Sequence, residues 1–140
     1  MNANVAEMQV EETARPSKKS VLWAGRIVSA LPILALVMSG IMKLSHAPMI
    51  VGLLGGHLGF AESAIAGIGL LELFCIALYA IPATSVLGAV LVSAYLGGAV
   101  ASHVRVGDAY VVPILLAVLA WLGLYLRDAR IRKLLPLRAA

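Results

Sequence analysis

Charge is scarce in this sequence: only 13% of its 140 residues are Asp, Glu, Lys or Arg, against about a quarter in an average globular chain. Hydrophobic residues make up 61%. One small domain in water has too high a surface-to-volume ratio to hide that much apolar surface, so a water-soluble fold is excluded and lipid is the expected solvent. Cysteine is nearly absent too. Cys75 stands alone in an apolar run, which excludes an intrachain disulfide, a Cys-x-x-Cys pair and any dithiol reaction by this chain alone. It reads as a buried thiol, a small hydrophobe. Acidic residues are outnumbered seven to eleven by basic ones, for a net charge of +4, but the basic residues gather at the two ends of the chain. That placement suits anionic lipid headgroups and argues against a nucleic-acid partner.

What is present is a series of long apolar runs. Residues 1–20 are polar and read as a disordered tail, acidic first and basic next to the membrane. Residues 21–42 form the first run, long enough at about 1.5 Å per residue to cross a hydrocarbon core of about 30 Å. Its length, and its closure on Ile41-Met42-Lys43, favour a retained span over a cleaved signal peptide. Arg26 can snorkel back from one turn inside, and Pro32 sits mid-span. Residues 44–63 are too short and glycine-rich to span, so a short helix from Pro48 on the outer surface is expected. Further spans are expected over 64–81, 84–104 and 110–126. Pro82-Ala-Thr-Ser85 supplies the turn, with Thr84 or Ser85 as N-cap, and residues 127–140 form a basic tail. The predicted fold is an all-α, four-helix integral membrane bundle.

Four spans bring both termini to one side. That side carries Arg15, Lys18, Lys19, Arg26, Arg127, Arg130, Arg132, Lys133 and Arg138; the other has only Lys43 and Arg105. The positive-inside rule therefore puts both ends in the cytoplasm, and the protein in the cell's inner membrane.

Glu72 is the most informative residue. A carboxylate at the centre of a membrane helix costs on the order of 2.5–3.5 kcal/mol, so it must face protein. Cys75 and Tyr79 share its helix face, and Tyr95 on the next span lies at similar depth, within reach of a hydrogen bond. Two readings stand: a buried proton or ligand site formed by Glu72, Tyr95 and Cys75, or polar glue between helices. Lys43, His46, His103 and Arg105 are expected at the outer mouth, with Glu62 and Asp108 nearby. They form either a cationic vestibule for an anionic or quinone-like headgroup, or ordinary interfacial side chains. No two of His46, His57, His103 and Glu62 stand at a helical metal-ligand spacing, so no metal site is expected. Ala89, Ser93, Gly97 and Ala101, beside Ala94, Gly98 and Ser102, form small-residue rows expected to let helices approach closely, with a homo-oligomer as one use. Trp121 and Tyr125 read as packing or interface anchors.

Four stretches together resemble the DoxX-like family of small four-helix membrane proteins: Met42-Lys43-Leu44, Gly69-Leu-Leu-Glu72-Leu73, Tyr95-Leu-Gly-Gly-Ala-Val-Ala-Ser-His103-Val-Arg105, and Trp121-Leu-Gly-Leu-Tyr-Leu-Arg127-Asp128. Leu-Leu-Pro136 fits as well, and the likeness runs from Val21 to Arg138. It implies that Lys43, Glu72, His103 and Arg105 occupy the family's polar positions, without a catalytic role for any of them. His57, in a linker where the pattern is looser, receives no role. The family name traces to a membrane subunit of a thiosulfate:quinone oxidoreductase. The resemblance therefore implies a subunit or accessory of a quinone- or sulfur-linked membrane redox complex, with other redox subunits as partners. The chain has no haem-attachment motif or nucleotide-binding loop, so no intrinsic cofactor is expected; a redox group would come from a partner or be a diffusible quinone. A non-catalytic role is favoured over an enzyme. The alternatives are a small proton-coupled solute or drug transporter and a membrane scaffold or assembly factor.

Overall fold

The computed structural model describes residues 18–134, which are helical or in short connections between helices, with no strand among them. The expected tails at 1–17 and 135–140 lie outside the described residues. Helix α1 spans Lys18–Leu44, so its backbone starts three residues before the apolar run. The short helix α2, Pro48–Val51, continues into a wider π-helical segment, Gly52–His57. Then come α3 (Glu62–Ala80), α4 (Ser85–Arg105), α5 (Val111–Arg127) and the short α6 (Ala129–Leu134). Helices α1, α3 and α4 are long and apolar enough to cross a membrane. With 17 residues, α5 is shorter, about 25 Å at about 1.5 Å per residue.

Packing forms a closed circuit: α1 lies against α3 and α5, and α4 against α3 and α5. Successive long helices run antiparallel. The entry end is where α1 begins and α5 finishes; the distal end is where α1 finishes and α4 meets α5. Large apolar side chains such as Ile27, Leu34, Phe74 and Val112 point outward and are more than half exposed, while Ser29, Lys43, Glu72 and Ser85 are buried. Polar groups inside and apolar groups outside is the pattern that lipid dictates.

The entry half is closed. The Tyr79 hydroxyl, fully buried on α3, donates to the Ala120 carbonyl of α5 at 2.7 Å, and its oxygen lies 3.0 Å from the Ser29 hydroxyl of α1. Arg127 stacks over the Tyr79 ring at 4.8 Å and donates to its carbonyl. Trp121 donates from Nε1 to Ser93 Oγ at 2.8 Å, joining α5 to α4. Arg26 stays exposed over the Trp23 ring.

Three local expectations are corrected. Thr84 stands at the N-cap of α4 but does not cap it: its hydroxyl turns back to the Leu78 carbonyl, and Ser85 to that of Pro82. Pro82 has no N–H for the Leu78 carbonyl at the end of α3, and the Thr84 hydroxyl takes that place. The small-residue row on α4 is only half a packing surface. Ala89 is fully buried and Ser93 holds Trp121, but a Cβ on Gly97 or Gly98 would meet nothing within 4 Å. The close approaches lie elsewhere: a side chain on Gly69 of α3 would strike Lys43 Cβ and the Gly40 carbonyl of α1, and one on Gly123 of α5 would strike Ser29. Finally, α2 and the π-helical segment do not simply lie on the surface, because Ile50 and Leu54 on them, and Leu58 just after, are buried against the bundle.

Candidate functional site

The distal half holds a cavity of about 740 Å³ between α1, α3, α4 and α5, roofed by α2 and the π-helical segment that follows it. Its walls are mostly apolar, from Leu36 and Leu91 at the base to Ile50, Leu54 and Leu58 at the roof. Ser39, Lys43, Glu72, Cys75, Tyr95 and His103 are placed among them. The volume falls within the range usual for sites that take a small organic ligand.

The polar centre is built by the α1–α3 contact. Gly69 lies one turn before Glu72, and its missing side chain lets the Lys43 stem pass close to α3. The Lys43 ammonium then reaches Glu72 Oε2 at 2.8 Å, with the two side chains only 8% and 2% exposed. Ser39, one turn earlier on α1, takes a second hydrogen bond from the same ammonium. A charge alone at this depth would be costly; paired and hydrogen-bonded, each ion offsets much of the other's desolvation. The outer-mouth position expected for Lys43 is therefore corrected. The side chain turns inward because the carboxylate of Glu72 is the stronger attraction in a low-dielectric bundle.

Tyr95 lines the cavity from α4 and interacts with the Glu72 carboxylate, and Cys75 lies buried one turn beyond Glu72 on α3. His103 reaches the cavity from the last turn of α4. Arg105 does not: its guanidinium donates to the Leu58 carbonyl and so holds the roof. His46 is exposed, with a left-handed backbone (φ 48°) at the turn that ends α1, and takes no part.

His57, which the sequence reading left without a role, and Asp108, expected near the outer mouth, complete the distal end. His57, at the end of the π-helical segment, lies 2.9 Å through Nε2 from Asp108 Oδ2; His103 Nδ1 lies 3.5 Å from the same oxygen. The hydrogen bond from His57 is the main reason why the Asp108 carboxyl is held below its ordinary pKa. These residues are 51 positions apart, and no spacing rule joins them. Ser39 had a signal, its i, i+4 spacing to Lys43 on a helix. No group of three or more His, Cys, Asp or Glu residues suited to a metal occurs among the described residues.

A model of the DoxX-like family matches residues 27–123, which takes in most of α1, all of α2 to α4, most of α5 and every residue of this site. The chain belongs to the DoxX-like family. With its apolar helices, this makes it a multi-pass membrane protein. No curated protein and no solved structure gives a match. Within the DoxX-like match, Lys43, Glu72, Tyr95 and His103 share one cavity, whereas Arg105 serves the roof.

Proposed function

We propose that this DoxX-like protein is a four-span protein of the cytoplasmic membrane, with α5 as its fourth span and both termini in the cytoplasm. Its distal cavity binds the ring of a quinone, and the protein serves a membrane redox complex as a binding or accessory subunit. One observation carries the reading: a mostly apolar cavity of about 740 Å³ in which Lys43 and Tyr95 both meet Glu72. A quinone needs flat apolar walls and hydrogen bonds at its ring oxygens. The Lys43 ammonium and the Tyr95 hydroxyl are donors for a carbonyl, and the Glu72 carboxylate is an acceptor for a quinol hydroxyl. Electrons would come from a partner subunit.

The charge asymmetry supports the orientation. Arg26, Arg127, Arg130 and Arg132 stand at the entry end, while Lys43 at the distal end is tied to Glu72 and Arg105 to the roof. Transport is less favoured, because Tyr79, Ala89 and Leu124, none of them exposed, fill the entry half below the cavity.

The test is equilibrium binding of a short-chain quinone to the protein in lipid nanodiscs. Saturable binding that weakens at least tenfold in Glu72→Leu supports the reading. An absence of saturable binding would remove it. Proton-coupled uptake in proteoliposomes would favour the transporter, and co-purified partners without any ligand would favour the scaffold.

A further inference from the structure

We infer that the cavity loads sideways from the bilayer, through a slot between α3 and α4, so that its ligand is a membrane-dissolved, long-tailed quinone and not a water-borne one. This rests on the quinone reading above and adds to it the route and the tail.

The faces of α4 locate the slot. Near its start, Gly88 is pressed against the backbone of α3 at Tyr79, and Ser93 faces α5 through Trp121. Counting about 100° per residue from these two, Leu91, Tyr95, Gly98 and Ser102 fall on the side toward α3. All four line the cavity, as does Ala94 beside them, whereas Ser93, Gly97 and Val100, on the side toward α5 or the lipid, do not. Ala94 and Gly98 are nevertheless exposed. On α3, Leu71 also lines the cavity while remaining 53% exposed. The cavity therefore reaches the lipid-facing surface between α3 and α4, with Leu71 on one lip and Ala94 and Gly98 on the other; Val112 at the start of α5, 65% exposed, is a further exposed lining residue at the distal end. A Cβ on Gly98 would meet nothing within 4 Å, so the gap there is open. Ala94, Gly98 and Leu71 lie near the middle of their helices, at the depth of lipid tails.

The way from water is largely covered, with Leu53, 38% exposed, as the exposed member of the roof lining. Ile50, Leu54 and Leu58 of the roof are 7%, 6% and 4% exposed. The roof is fastened at its far end by Arg105 to the Leu58 carbonyl and by His57 to Asp108. Lys43 and Glu72 lie deeper than this roof and behind the slot. A ring held at the ion pair would send its tail out between α3 and α4 into the bilayer.

The test compares equilibrium affinities in nanodiscs for a long-tailed isoprenoid quinone and for its tail-less ring. In Gly98→Trp, which fills the slot, the long-tailed quinone should bind at least tenfold more weakly and the ring within twofold of wild type. Gly97→Trp, the same change one residue away on a face that does not line the cavity, should alter neither. A photoreactive group on the tail, used with the wild-type protein, should label Leu71, Ala94 or Gly98; this arm stands even if Gly98→Trp does not fold. Equal effects of Gly98→Trp on both quinones, or labelling confined to residues 48–58, would overturn the lateral route and leave the quinone site standing. If neither quinone binds the wild-type protein, the quinone reading itself falls, and the route with it.

Discussion

Lys43 Nζ and Glu72 Oε2 lie 2.8 Å apart with almost no exposed side-chain surface, joining the end of α1 to the middle of α3. Such a pair adds little net stability, because its attraction is spent on its own desolvation, yet either ion alone is strongly unfavourable.

Each single change at this pair, Glu72→Leu or Lys43→Met, should therefore lower stability by about 3–5 kcal/mol. The double change should recover most of that loss. Thermal unfolding in detergent reads the difference. A double variant no more stable than the worse single one would show that the pair does not act as a unit.

Glycine positions divide sharply. Gly123→Val places atoms where Ser29 already sits and should destabilise by about 1–3 kcal/mol, the usual scale of overpacking. Gly97→Leu enters open space and should leave the melting temperature nearly unchanged. Comparable losses in both would contradict the helix packing described above.

Tyr79 ties three helices together in the entry half. Tyr79→Phe removes the hydrogen bonds to Ala120 and Ser29 while keeping the ring under Arg127. It should cost about 1 kcal/mol, the scale of a hydrogen bond between membrane helices. A neutral substitution would mean that the ring alone holds this junction.

Asp108 fastens the roof only while it is ionised. Its pKa is held down chiefly by the His57 hydrogen bond, so its contribution is complete above the ordinary carboxylate value of about 3.9 and is lost as pH falls through its lower folded value. Hydrogen exchange over residues 48–58, corrected for the intrinsic rate, should quicken on acidification below about pH 4. Asp108→Asn should show the faster exchange already at pH 7. Unchanged protection in that variant would assign the roof to Arg105 alone.

Reporter fusions after Ala140 should be active only for a reporter that works in the cytoplasm. Activity of a periplasmic reporter there would refute the orientation and the four-span count together.

Sequence alone determined the solvent, the helices and the inward-facing carboxylate. Long apolar runs leave the backbone no choice in lipid but to bond to itself, so 61% hydrophobic residues punctuated by Pro48, Pro82 and Gly107 are enough to write out α1 to α5. Glu72 had to face protein, whatever the fold, because lipid offers a carboxylate nothing. Only the tertiary structure decided which partner it finds. Lys43 at the edge of α1 could snorkel to water or turn inward, and the choice depends on Gly40 and Gly69 bringing α1 and α3 close enough for the ammonium to reach. Likewise the small residues of α4 look alike along the helix. Ala89 and Ser93 are packed and Gly98 is open because the helices meet tightly at the Pro82 turn and leave one face of α4 uncovered farther along, at Ala94 and Gly98, and no periodicity in one helix encodes its distance from the next.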